Sequence, residues 1–305
     1  MTQVTDDVRL PRVNPILTRA HWEDQRKAFL ADPGAFFGAI ARSALHWYDA
    51  KLDAWITWDE ARGTWTGLGA RDGKPVEVRH GAAHTPWTRA FNGDDPPFYR
   101  WFADADTNAC FNEVDRHVLT GHGDEVAYHF EGDRWDSSLN NGRGGPVVSY
   151  PITRKQLLLE TVKAAQVLKD LGLRRGDRLA LNLPNIMEQI YYTEAAKRLG
   201  IIYTAVFGGF SDKTLSDRIH NAGARVVVTS DGSYRNAQIV AFKETYTDPA
   251  LDRFVPIESA LEIVVKTLEG IDLGATEAAK VTEIKSVIVH EVKATLEGDI
   301  TVERS

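Results

Sequence analysis

The chain has 305 residues, 36 Lys+Arg against 43 Asp+Glu, a net charge of −7 and a pI near 5.7. That balance gives no electrostatic motive for binding nucleic acid or an anionic membrane, and no apolar run approaches the roughly 20 residues of a membrane-spanning helix. With 43% hydrophobic residues and 8 Trp, disorder is excluded as a description of the whole, and the length suggests about two domains.

The mixed-charge opening at 1–12 lacks the basic-then-apolar order of a secretory signal, and the lone Cys110 has no partner for an internal disulfide, so a reducing, cytoplasmic setting is expected. Every tryptophan, from Trp22 to Trp135, precedes Tyr150, scattered among Gly, Pro and Asp without a sustained period. A loop-rich start is expected there. Helices are predicted at 21–30 and at 34–48, the second after Pro33 with Phe36, Phe37, Ile40, Ala44 and Trp47 at helical spacing. Strands at 56–58 and 64–66 pair as a hairpin across 60–63, and Pro96-Pro97 breaks the chain before a short aromatic helix at 98–102.

From Glu125 the pattern is regular. Val126, Tyr128 and Phe130 alternate with Ala127, His129 and Glu131 as in a half-buried strand, with 147–152 as its return partner and a polar, glycine-rich, mobile loop at 132–146 between them. Thr153 stands where an N-cap belongs, and Leu157, Leu158, Val162, Ala165 and Leu168 mark a helix ending at Gly172. Strands at 179–183, 201–206 and 225–229 then alternate with helices at 186–199, closed by Gly200, and at 212–222, capped by Ser211. Such alternation implies crossovers and a parallel sheet. In the tail, helix is favoured at 259–268 and 275–294, while 285–291 is β-branched enough for a strand. The chain therefore divides into an N-terminal loop and helix region at 1–124, an α/β subdomain at 125–256, and a helix-favouring tail or insertion at 257–305 that reads as a cut rather than an end.

Ligands of open parallel sheets sit beyond the carboxyl ends of the strands, where the Val206-Phe207-Gly208-Gly209-Phe210-Ser211 turn falls. Its glycines permit close backbone approach, and the following helix points its positive end toward that space, which suits an anion or, equally, a plain capped turn. Arg235, after the third strand, offers a charge-assisted bond to a phosphate, although a lone arginine is more often a solvated loop residue. Glu113, Asp115, Arg116 and His117 pack acid, base and imidazole together, but neighbours in sequence point apart and structural ion pairing is the stronger reading. Cys110 is expected to be a buried structural thiol. No histidine pair is read in HxxxH or HExxH spacing, so no metal is predicted, and the lack of a G-x-S-x-G elbow, dinucleotide fingerprint or P-loop weakens those enzyme classes.

Trp101-Phe102, Asn108, NEVDRHV at 112–118, LKDLGLRRGDRLAL at 168–181, Pro184, VFGGFS at 206–211, Arg218-Ile219, the 229–231 segment and Arg235 together resemble the amino-terminal part of AMP-forming short-chain acyl-CoA synthetases, the acetyl- and propionyl-CoA synthetase type. The resemblance covers roughly 97–244. It implies part of the acyl-adenylate-forming fold and a two-step reaction: a carboxylate and ATP give an acyl-adenylate and pyrophosphate, then CoA takes the acyl group and AMP leaves. By that resemblance Phe207, Gly208, Gly209 and Arg235 are CoA contacts, while a second basic residue common in the family is replaced by Gln238. The family's phosphate loop, acyl pocket, ribose-binding aspartate and adenylation lysine come later in the chain. This segment is accordingly expected to hold no catalytic residue and to be inactive in adenylation alone, with ATP, its Mg2+ and CoA as substrates of the larger enzyme.

The tryptophan-rich start and the Glu/Lys/Ala-rich tail look more like the ligase region of propionyl-CoA synthases, fusions that join a 3-hydroxypropionate ligase to a hydratase and an NADPH-dependent reductase. NADPH is implied only in that case. Expected partners are small-molecule substrates and the remainder of the same polypeptide, with no nucleic acid and no membrane; homo-oligomerisation stays open. The alternatives are a conventional acetyl- or propionyl-CoA synthetase and a non-catalytic CoA-binding or interaction module.

Overall fold

The computed structural model describes residues 18–235, 238–252, 261–265 and 286–288. The chain divides into two compact units, Met1–Gly69 with Pro75–Thr107, and Ala70–Lys74 with Asn108–Ser305.

In the first unit, α1 (Arg19–Ala31) starts at Thr18, whose hydroxyl accepts the His21 N–H. Asp32 ends α1 and begins α2 (Pro33–Ala44), accepting the Ala35 N–H at 2.8 Å, with Pro33 at the first helical position where its missing N–H costs nothing. Four antiparallel strands follow in meander order: β1 (Trp47–Asp49), β2 (Ala54–Asp59), β3 (Thr64–Gly69) and β4 (Pro75–Val76). The second helix thus stops short of the expected 34–48 span. Trp47 instead pairs with Ile56, packs its ring 5.0 Å from Trp87, and donates its indole N–H to the Ala41 carbonyl at 2.8 Å. Burying that indole against Ile56, Trp65 and Val78 outweighs another helical turn. The aromatic helix expected at 98–102 is likewise replaced: β6 (Arg100–Trp101) pairs with β5 (Phe91–Asn92), setting Trp101 4.5 Å from Phe91. A helix this short gains little for the residues it fixes, whereas pairing with β5 sets the Trp101 ring against Phe91 across the strands.

The second unit opens with two π-helical turns, Phe111–Asp115 and Val118–His122, and an antiparallel pair, β7 (Val126–Glu131) with β10 (Ser149–Thr153). The excursion between them carries β8 (Trp135–Asp136) paired with β9 (Gly145–Pro146) across a short turn, α3 (Leu139–Gly142), in which Asn140 and Asn141 are left-handed. Thr153 and Gln156 close a capping box on α4 (Arg154–Asp170). Then come β11 (Arg178–Asn182), α5 (Met187–Leu199), β12 (Ile202–Ala205), α6 (Asp212–Ala222) and β13 (Val226–Ser230), with Gly200 ending α5 in the left-handed conformation a side chain disfavours. After the hairpin β14 (Ser233–Arg235) with β15 (Gln238–Val240), a π-helical turn Lys243–Thr247 leads into α7 (Asp248–Asp252).

Strand β16 (Leu261–Val265) pairs parallel with β13, and β17 (Ser286–Ile288) pairs with β16, completing a five-stranded parallel sheet in the order β12-β11-β13-β16-β17. The helix expected at 259–268 is therefore corrected to a strand. The Leu261-Glu262-Ile263-Val264-Val265 run is rich in β-branched residues, and its backbone satisfies the otherwise open edge of β13, a non-local gain that local periodicity does not encode. The remainder of the 257–305 tail lies outside the described residues.

Alternation along the strands builds two cores. Leu179, Leu181, Val226 and Val228 pack on Leu168, Ala195 and Leu199 of α4 and α5, while Ala180 and Val227 pack on Leu215, Ile219 and Ala250 of α6 and α7. Each fully buried Leu, Ile or Val contributes about 1.5–3 kcal/mol. Because β12 and β13 flank β11 on opposite sides and α5 and α6 cover opposite faces, the order reverses at β11. A crevice opens at the carboxyl ends of the strands at such a reversal.

Candidate functional site at the carboxyl edge of the parallel sheet

Three connections leave this edge: the 183–186 segment after β11, the 206–211 turn after β12, and the 231–242 segment after β13. Val206 donates its N–H to the Leu181 carbonyl at 2.8 Å, which fixes the start of the turn against the sheet. Beyond it Phe207 is 64% exposed and Phe210 meets it edge-on at 5.7 Å, with the Arg218 guanidinium 5.3 Å from the Phe210 ring. An exposed aromatic pair held by a cation–π contact is an apolar surface with a fixed orientation.

Gly208 is constrained by packing. A Cβ there would lie 2.6 Å from Cζ of Phe242, which is itself buried and tilted against Tyr246. Phe242 in turn donates its N–H to the Asp231 carbonyl at 2.9 Å. The two edge segments named from the sequence are thus brought together through one phenylalanine, which the sequence reading did not single out. Gly209 is exposed beside Gly208, and Arg235 ends β14 with its backbone paired to Gln238; the Arg235 side chain lies outside the described residues.

Of the two readings left open for the amino end of α6, an anion site or a plain capped turn, the local geometry favours the capped turn. Ser211 Oγ accepts the Thr214 N–H, and Asp212 puts a carboxylate in the first turn, so the helix end is already capped and its positive charge is opposed by an acid of the same chain.

The Glu113–His117 segment behaves as a structural ion cluster. Asp115, 1% exposed, accepts from Arg198 at 2.7 Å, and Lys197 bridges Glu113 and Glu194. Burial pushes the Cys110 thiol far above its usual range, which leaves it without nucleophilic character at neutral pH. His117 is held down to about 4, first by burial and then by the charges of Arg154 and Arg116. It is neutral at pH 7.

One cluster went unnoticed in the sequence. Asp49, His80 and His84 in the first unit place one ligand atom each within 4.8 Å of one another. His80 and His84 stand four residues apart, which corrects the reading that no H-x-x-x-H spacing is present, but they lie on a turn rather than on the helix that spacing usually implies. Asp49 is distant in sequence, and only the fold adds it.

A five-stranded parallel sheet with helices on both faces and aromatic, glycine-bearing loops at its carboxyl edge is the arrangement of an open α/β ligand-binding domain. Residues 120–296 match the family model of AMP-binding enzymes, and residues 78–112 match that of the acetyl-coenzyme A synthetase N-terminus. The chain belongs to the AMP-binding enzyme family. It is 40% identical over 176 residues to acetyl-coenzyme A synthetase of Streptomyces coelicolor, covering 58% of this chain and 25% of that protein. It is 38% identical over 216 residues to the Streptomyces avermitilis enzyme, covering 71% and 30%, and 36% identical over 188 residues to the Campylobacter jejuni enzyme, covering 62% and 26%. The chain therefore spans between 25% and 30% of the length of these relatives. Among the described residues, no helix is long and apolar enough to cross a membrane.

Proposed function

We propose that this chain forms the amino-terminal, CoA-facing part of an AMP-forming acyl-CoA ligase. The observation that carries the reading is the convergence of the 206–211 and 231–242 segments on Phe242 at the carboxyl edge, where the order of the parallel strands reverses. In such an enzyme a carboxylate displaces pyrophosphate from ATP to give an acyl-adenylate, and the CoA thiolate then attacks the acyl carbon and releases AMP. Phe207 supplies an exposed apolar face for the pantetheine arm, Gly208 and Gly209 keep the backbone open to it, and Arg235 meets a CoA phosphate. Since α6 is capped by its own Ser211 and Asp212, that phosphate contact falls to the arginine rather than to the helix end. ATP and its Mg2+ are held by parts of the ligase outside this segment, which contributes no catalytic residue.

Acetate is the acyl substrate that the similarity to acetyl-coenzyme A synthetases suggests. A finer reading makes the substrate 3-hydroxypropionate and the parent a propionyl-CoA synthase with an NADPH-dependent reductase; it rests on the tryptophan-rich opening and the Glu/Lys/Ala-rich tail. Comparing acetate, propionate and 3-hydroxypropionate in ATP–pyrophosphate exchange by the full-length ligase decides between them.

For the CoA assignment, Arg235→Ala in the full-length ligase is expected to raise the KM for CoA by about 10- to 100-fold, the equivalent of losing a charge-assisted bond of about 1.5–3 kcal/mol. ATP–pyrophosphate exchange with the carboxylate is expected to keep its rate, because that half-reaction precedes CoA. An unchanged KM for CoA removes Arg235 from the site.

A further inference from the structure

In the first unit three metal-ligating side chains converge at a place that the proposed ligase reaction does not use. Asp49 ends β1. Its Oδ1 accepts the backbone N–H groups of Lys51 and Leu52 at 2.9 and 3.2 Å, which locks the carboxylate and leaves Oδ2 for His80 Nε2 at 2.7 Å. A turn then carries the chain from His80 to His84, closed by the His84 N–H donating to the Gly81 carbonyl at 3.0 Å. That turn stacks the two imidazoles with centroids 3.8 Å apart and planes 21° from parallel. The Trp65 ring, 3% exposed, abuts His84 edge-on at 5.3 Å and walls the cluster on one side, while the side chains of His80 and Asp49 keep 25% and 11% exposure, so an ion has an entry path.

We propose that Asp49, His80 and His84 form a binding site for a borderline divalent transition cation, represented by Zn2+. Two imidazole nitrogens and one carboxylate oxygen, with water in the fourth position, are a recurrent zinc donor set, whereas Mg2+ and Ca2+ require shells made mostly of oxygen. An ion about 2.0–2.2 Å from each donor holds them about 3.4 Å apart, a spacing that the three donors, within 4.8 Å of one another, already approach. Bound there, the ion ties the end of β1 to the segment after β4.

The test is titration of the full chain with Zn2+ at pH 7.5 against a chromophoric chelator. One ion per chain is expected to bind, with at least about tenfold weaker binding in His84→Gln and in Asp49→Asn, and no displacement by millimolar Mg2+. Equal affinity in His80→Gln/His84→Gln and the unaltered chain overturns the site. A second measurement requires no variant to fold: Co2+ added to the unaltered chain is expected to give the intense visible bands of a four-coordinate nitrogen and oxygen site, and only the weak band of the hexaaquo ion overturns the proposal.

Discussion

Gly208 shows how one residue sets both packing and the shape of the candidate site. The Phe242 ring occupies the space a Cβ would take at 2.6 Å, and Phe242 is anchored through its backbone to Asp231, so neither partner moves freely. Gly208→Ala therefore over-packs the carboxyl edge, and a loss of about 1–3 kcal/mol in chemical denaturation is expected, in the range of other insertions into filled space. Adding Phe242→Leu to that variant is expected to return part of the loss by opening the gap; a double variant no better than the sum of the single changes would show that the ring is not the obstacle. The same scale explains what was hidden. Local sequence places a glycine on the turn, but only the fold brings Phe242, 34 positions further on, against it. Asp49 is likewise joined to His80 and His84 only by the meander.

At the scale of elements, those announced by their own ends were the ones legible in the sequence. Thr153 and Ser211 as caps, and Gly200 as a left-handed terminus, place α4, α6 and the end of α5 close to where they form. The strands flanking those helices were legible too, because full burial on both faces makes Leu179 to Leu181 and Val226 to Val228 continuous apolar runs. Elements whose partner lies far away were not: β1 forms because Trp47 finds Ile56, β6 because Trp101 finds Phe91, and β16 because β13 needs an edge partner. The α4 cap provides a direct measure of local coding. Thr153 Oγ1 accepts the Gln156 N–H at 3.2 Å while Gln156 Oε1 accepts the Thr153 N–H at 2.8 Å, so two orphan amide groups are satisfied reciprocally. Thr153→Ala is expected to cost about 1 kcal/mol and Thr153→Ser a few tenths, read as shifts in the denaturation midpoint at constant slope. Equal losses for both would locate the effect in the threonine methyl rather than in the cap.

At the scale of the whole molecule, the two compact units are built from different interiors. The first gathers Trp47, Trp65 and Trp87 around a four-stranded meander, and the second stacks aliphatic side chains on both faces of a parallel sheet. Of the eight tryptophans only Trp135 lies in the second unit, and it is 61% exposed, so it changes environment little on unfolding. Tryptophan emission in a urea titration therefore reports the first unit almost alone, while deuterium exchange of the amides in β11 and β13 reports the second. A unit with its own core unfolds as its own cooperative block, and the larger core of the second unit implies a steeper dependence on denaturant. The expected result is two separated transitions, the fluorescence midpoint differing from that for loss of protection in β11 and β13. Superimposable curves would mean that the units share one cooperative transition, and Gly208→Ala would then lower the fluorescence midpoint as much as the exchange midpoint. With independent units, Gly208→Ala moves the exchange midpoint and leaves the fluorescence midpoint in place.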